Sequence, residues 1–261
     1  MNAHSDFRLL TSVFFLFALF AFLPLSGIEE WEKANEEYAK GEKAKTLSER
    51  QMAFNNALST YLQLESRTHP EYSNGKLYYN IGNAYFQLQE FPLAIFYYYK
   101  ALNLRPSDEK VKSNLRAALS KVGLKYTEKP FLSRLFFYIP LPTQLQILFL
   151  LSIILFLSVI AYGWYWSKRL KILAKIFLAL WLFVLASVSY IRFISPVEGV
   201  IINPTQLYRD AGEQYAKAME KPIISGEKVR VLDSIQDGLW LKVVTSEGQI
   251  GYIPVTALRI I

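Results

Sequence analysis

The sequence predicts a multidomain membrane protein: an all-α solenoid, then a two-helix transmembrane hairpin, then a small all-β barrel. Three observations carry this. Two long apolar segments, residues 145–166 and 172–194, are separated only by Ser167, Lys168, Arg169, Leu170 and Lys171. Before them, apolar residues recur at helical spacing. After Pro196 the pattern alternates with period two.

The first apolar segment holds 22 residues and no charge, and at ~1.5 Å per residue it covers about 33 Å, enough for a hydrocarbon core of roughly 30 Å. The second carries charge only at Lys175 and Arg192, near its ends, where long side chains reach the interface. Five residues between two spans allow only an antiparallel hairpin. Its tip carries Lys168, Arg169, Lys171 and Lys175, and positive loops stay in the cytoplasm. The chain before Pro140 and the chain after Pro196 are therefore expected on the same, non-cytoplasmic side.

Charge agrees with this layout. The chain has 261 residues and a formal net charge of +7, which raises the question of nucleic acid. Residues 131–195 contribute six bases and no acid, whereas residues 28–130 stand at +2 and residues 196–261 at −1. The basicity is membrane topology, not a nucleic-acid footprint. Cysteine is absent, and His4 and His69 are the only histidines. That removes a disulfide framework, a thiolate nucleophile and the usual zinc and triad sets, so no metal, cofactor or catalytic residue is expected.

Residues 1–27 read as a signal peptide or an uncleaved N-terminal anchor, with Arg8 ahead of the apolar run 9–23 and with Pro24, Ser26 and Gly27 near a cleavage point. Residues 28–129 form the helical domain. Its centre is Leu77-Tyr78-Tyr79-Asn80-Ile81-Gly82-Asn83-Ala84-Tyr85, continuing through Ala94, Tyr98 and Ala101 to Pro106. This run resembles a tetratricopeptide repeat, with all eight signature positions filled. Gly82 and Ala94 are small where two antiparallel helices approach, and Tyr78, Ile81, Tyr85 and Tyr98 fill the groove around that contact.

One repeat cannot bury its faces alone. Upstream, Ala34, Asn35 and Tyr38 resemble a first helix and Ala57, Tyr61 and Leu64 a second, with about ten extra residues between them, including 41–50, that lengthen the turn or the helices. Downstream, Ser107 can cap a helix whose stripe is Val111, Leu115, Ala118 and Leu119 and which stops at Gly123. The resemblance implies a concave, protein-binding face made by Lys76, Tyr79, Asn83, Phe86 and Gln87, with Lys110 and Ser113 from the next helix. Some relatives grip a C-terminal carboxylate there. Asn83 and Asn114 fall at two such positions, while Tyr79 stands at a lysine position. In the run Tyr97-Tyr98-Tyr99, one ring is core by spacing and the others are expected against a neighbouring helix.

Residues 130–195 comprise an aromatic interfacial segment, 131–139, and the two spans, with Trp164, Tyr165 and Trp166 as an aromatic belt. Residues 196–261 contain five short strands with turns at Asp237-Gly238 and Glu247-Gly248. Leu207-Tyr208-Arg209-Asp210, Gly226, Trp240 and Gly251-Tyr252-Ile253-Pro254 resemble a bacterial SH3 domain. The resemblance implies a peptide groove walled by Tyr208, Trp240 and Pro254. Asp210 and Ala257 stand where two further groove aromatics occur in that family.

A signal, a repeat with this signature, a basic-tipped hairpin and a terminal SH3-like barrel, in that order, resemble the BatE component of the bacterial aerotolerance (Bat) proteins. The resemblance implies a non-enzymatic inner-membrane scaffold with both soluble domains in the periplasm, working beside von Willebrand A-domain Bat membrane proteins and a MoxR-type ATPase in stress tolerance or envelope maintenance. The competing expectation is a cell-wall module whose barrel grips peptidoglycan while the repeats recruit an envelope enzyme.

Overall fold

The computed structural model describes residues 26–68, 75–128, 138–165 and 167–261. Residues 1–25 of the signal or anchor segment, the closing Pro70 of the upstream repeat, most of the interfacial segment and Trp166 lie outside the described residues. The chain divides into two compact units, Met1–Thr68 and His69–Ile261.

In the first unit, α1 (Ser26–Lys43) and α2 (Leu47–Thr68) pack against each other. The extra residues of this pair lengthen the helices rather than the turn, which is only residues 44–46. A reciprocal cap starts α2: the Glu49 N–H donates to Thr46 Oγ1 at 3.2 Å and the Thr46 N–H donates to the Glu49 carboxylate at 3.4 Å. Ala34 and Ala57 are fully buried between the helices. A Cβ on Gly41 would stand 2.7 Å from the Phe54 ring, so the close approach needs glycine there.

In the second unit, α3 (Lys76–Gln87) and α4 (Phe91–Leu104) form an antiparallel pair, with Pro92 in the first turn of α4, where its missing N–H costs nothing. The third helix, α5 (Glu109–Lys121), packs on α4. Its cap is Asp108, one residue beyond the predicted Ser107. The Asp108 carboxylate accepts from the Lys110 and Val111 N–H groups and also takes the Arg105 guanidinium, with Nε at 2.8 Å, a partner a serine could not hold. Gly123 ends α5 at φ +79°, with Leu124 N–H donating back to the Leu119 carbonyl at 2.9 Å.

Next, α6 (Leu141–Tyr165) and α7 (Lys168–Ser189) pack side by side, and α7 runs on through a π turn at Tyr190–Ile194. Both are long and apolar enough to cross a membrane. Two side-chain hydrogen bonds set an antiparallel register: Ser187 Oγ donates to Gln144 Oε1, and Trp181 Nε1 donates to Ser152 Oγ, each at 2.8 Å. Gln144 and Ser187 are buried, whereas most large apolar side chains of the two helices are exposed.

The remaining residues form β1 (Val197–Ile201), β2 (Lys228–Ile235), β3 (Trp240–Val244), β4 (Ile250–Pro254) and β5 (Leu258–Ile260), with a 3₁₀ turn at Val255–Ala257. All pairings are antiparallel, in the order β4-β3-β2-β1-β5. The sheet is open, which corrects the predicted barrel. Pro254 has no N–H with which to extend β4, and the 3₁₀ turn delivers β5 to the far edge, beside β1. Strand count alone does not say which edges meet. The β4 edge is instead covered in part by Tyr208, which exchanges backbone hydrogen bonds with Tyr252 at 2.9 and 2.8 Å. Ile201, Leu207, Ile223, Val229, Leu241, Val243, Ile253 and Leu258 make the core, an arrangement compatible with an SH3-like fold.

The sheet domain is seated on the repeat, with α4 packed against β1. Gly226, at φ +88°, lies so close to α4 and α5 that a Cβ there would stand 2.8 Å from Ile95 Cδ1 and 3.0 Å from Val122 Cγ2. Lys228 Nζ bonds Glu198 at 3.0 Å and lies 5.1 Å from the Tyr99 ring centroid. Tyr99 therefore faces the sheet, not only a neighbouring helix. Burial pushes its phenol well above the ordinary tyrosine range, and Tyr126 and Glu198 add to the shift.

Candidate functional site

The repeat surface is built on the contact between Gly82 and Tyr98. A Cβ on Gly82 would stand 2.7 Å from the Tyr98 ring, so the absence of a side chain lets α4 close on α3. Ala94 is fully buried in the same contact, and the Tyr85 and Tyr97 rings stack at 5.5 Å. Lys100 Nζ lies 4.1 Å from the Tyr78 ring centroid, with Phe96 and Tyr97 at 5.5 and 5.4 Å. Those aromatic faces hold the lysine ammonium over the back of the pair.

On the first-helix side, Asn83 is the junction of three helices. Its Oδ1 accepts from the Tyr98 phenol at 2.8 Å and from Asn114 Nδ2 at 2.9 Å, and Asn114 Nδ2 also reaches the Tyr79 hydroxyl at 3.2 Å. Tyr79, Asn83 and Asn114 are thus brought together across α3 and α5. Phe86, half-buried, makes an edge contact with Phe91 at 5.5 Å. Lys76 and Lys110 are exposed at the starts of α3 and α5, and Gln87 is half-buried at the end of α3. A polar, aromatic-lined face with two lysines suits an extended peptide or a helix better than a small apolar ligand.

The first unit repeats the same clasp. The Tyr61 phenol donates to Asn35 Oδ1 at 2.7 Å, and Trp31 sits against Tyr61 at 5.8 Å, as Tyr79 sits against Tyr98 at 6.2 Å. The spacing Trp31/Asn35 equals Tyr79/Asn83, a signal present in the sequence that aromatic identity alone obscured.

In the sheet domain the three predicted groove residues meet. Trp240 pairs with Pro254 across β3 and β4, and the Tyr208 and Trp240 rings stand edge to face at 5.7 Å. Each is half-buried. A Cβ on Gly251 would stand 2.5 Å from the Tyr208 carbonyl, so glycine lets the Tyr208 strand lie along β4. Among the described residues no group of three or more His, Cys, Asp or Glu side chains is placed to hold a metal ion.

Sequence reasoning does not connect Tyr99 with Gly226 and Lys228, which join repeat and sheet, and does not single out Gln144 and Ser187, which join the two apolar helices. Only Gln144 carried a local signal, a polar amide at the edge of an apolar run.

Comparison with known families agrees with the central element. The tetratricopeptide repeat model matches residues 75–108, which cover α3, the turn, α4 and the approach to α5. No curated protein matches the chain. The matched repeat is a protein-interaction motif, and the two apolar helices after it are of membrane-spanning length.

Proposed function

We propose that this chain is a non-enzymatic membrane adaptor that displays a protein-binding repeat and an SH3-like domain on the side of the membrane opposite the basic hairpin tip. The observation that carries the reading is the Tyr79, Asn83 and Asn114 cluster on the open side of a matched repeat, in a chain with two membrane-length helices. Lys76, Tyr79, Asn83, Phe86, Gln87 and Lys110 are the contact surface. A partner peptide or helix lies along α3 and α5. In a bacterial cell the membrane is the inner one and both domains are periplasmic, and the order of modules fits a Bat-type complex with von Willebrand A-domain membrane proteins and a MoxR-type ATPase.

Two experiments test this. Reporter fusions after Val122 and after Ile261 are expected to read non-cytoplasmic and one at Ser167 cytoplasmic; opposite signals from the two ends refute the hairpin. Co-purification from membranes tests the surface. Ala at Tyr79 and Phe86 is expected to weaken capture about 30-fold per residue, the equivalent of ~2 kcal/mol each. Glu at the exposed Lys76 and Lys110 tests the same surface without truncating any of the packed rings.

The edge-to-face Tyr208 and Trp240 rings beside Pro254 favour one second reading, a cell-wall peptide held by the sheet domain. It predicts that Trp240→Ala abolishes binding to purified sacculi while the Tyr79 and Phe86 variant still binds them.

A further inference from the structure

At the hairpin end away from the basic tip, the apolar surface does not stop where the helices stop. Phe193 and Ile194 are 81% and 68% exposed at the end of the π turn, and Tyr138 is 66% exposed ahead of α6. Ile139 and Val197 are exposed beside them. The Gln144–Ser187 bond, together with the Gln144 Nε2 bond to the Ile139 carbonyl at 2.8 Å, places these residues at one end of the hairpin. Only Ser195 and Pro196 separate the π turn from the first strand.

We propose that Tyr138, Ile139, Phe193, Ile194 and Val197 form a collar seated in the lipid interface, and that the sheet domain and repeat ride on it as one block. The proposal rests on the reading that α6 and α7 span a bilayer. Lipid is the occupant because the collar adjoins the lipid-facing surface of those helices and has the aromatic and aliphatic composition of an interfacial belt, with the exposed Arg192 and Thr143 among it as groups that belong at headgroup depth.

The block follows from two ties. Val197 to Val200 is about 10 Å of strand, and Val200 pairs with Lys228, whose ammonium lies against Tyr99 of the repeat. Independently, nine residues separate Glu128 from Tyr138, and the ten steps between those two Cα atoms span at most about 35 Å. The two ties limit how far the repeat face can stand from the headgroups, and its partner must present the bound segment within that reach.

Because the chain has no cysteine, single cysteines carry a nitroxide cleanly in the full chain reconstituted into phosphatidylcholine nanodiscs. Labels at Ile154, Val197, Ser113 and Ser246 are read for collision with oxygen and with a soluble nickel chelate, and for relaxation by a nickel-chelating lipid. The expected result is Ile154 in hydrocarbon, Val197 at the headgroup boundary, and Ser113 relaxed by the headgroup nickel. In the Tyr99→Ala/Lys228→Ala variant, that relaxation of Ser113 weakens while Val197 keeps its depth; relaxation equal to the parent's would mean that the repeat is not held through this contact. If Ile154 is not in hydrocarbon, the spanning reading itself fails. If Ile154 is in hydrocarbon but Val197 collides with the chelate as freely as Ser246, the seated collar is wrong. If Val197 is seated but Ser113 is out of reach of the headgroup nickel, the block is wrong.

Discussion

The Tyr98 phenol donates to Asn83 Oδ1 at 2.8 Å, and the same oxygen accepts from Asn114 at 2.9 Å. One acceptor therefore ties α4 and α5 to α3. Removing a single donor leaves the oxygen satisfied, so Tyr98→Phe is expected to cost only about 1 kcal/mol. Asn83→Leu removes the acceptor from two donors at once and is expected to cost at least twice that. Urea unfolding of the full chain in detergent measures the order of the two variants; equal costs would mean that Asn83 is not a shared acceptor.

Gly82 makes the sharper test of the helix contact. Its missing Cβ would lie 2.7 Å from two atoms of the Tyr98 ring, and Tyr98 is among the most buried side chains. The ring cannot retreat, because Tyr79 and Asn83 border it. Gly82→Leu is expected to destabilise the repeat by 1 to 3 kcal/mol or somewhat more, at about the usual cost of overpacking. Gly163→Ala is the control, since a Cβ at Gly163 meets nothing within 4 Å. A Gly82→Leu chain that melts with the parent would refute the close approach.

Much of this was legible because it is written in composition or spacing. The apolar helices are visible as runs without charge, and α3 and α4 as small residues at fixed distance from tyrosines. What was not legible depends on residues far apart in sequence. Nothing local to Gly226 or Lys228 says that Ile95 and Tyr99 lie opposite. Whether the sheet closes is hidden for the same reason: five alternating segments fix strands, but the position of β5 is decided by Pro254 and the three-residue turn after it. At the start of α5, Ser107 and Asp108 are both good caps, and the choice falls to Asp108 because Arg105 reaches it. For the proposed surface, Tyr79, Asn83 and Phe86 were read as one face, and the structure adds that each also has a packing or bonding role within the repeat.

The bond between Ser187 Oγ and Gln144 Oε1 is buried in helices whose other polar groups are few. In an apolar surrounding such a bond fixes which faces of two helices meet. A double-mutant cycle with Gln144→Leu and Ser187→Ala is expected to give a coupling of about 0.6 kcal/mol, with ~1.7 as the upper end. Additive effects of the two substitutions would show that the register is set elsewhere.

The α5 cap makes stability depend on pH in a defined direction. Partial burial of Asp108 works against ionisation, but the Arg105 hydrogen bond and the Lys110 and Val111 N–H groups outweigh it and hold the carboxyl below its ordinary value of 3.8. A carboxyl with a lowered folded-state pKa binds its proton more readily in the unfolded chain. Its stabilisation is therefore complete above about 3.8 and is lost as pH falls through the folded-state value. Asp108→Asn keeps a capping oxygen but not the charge, so it isolates this contribution. The parent chain is expected to be the more stable of the two at neutral pH, with the difference in unfolding midpoint shrinking as the pH is lowered below 4. A difference that grows on acidification would mean that burial, not Arg105 and the helix N–H groups, controls this carboxyl.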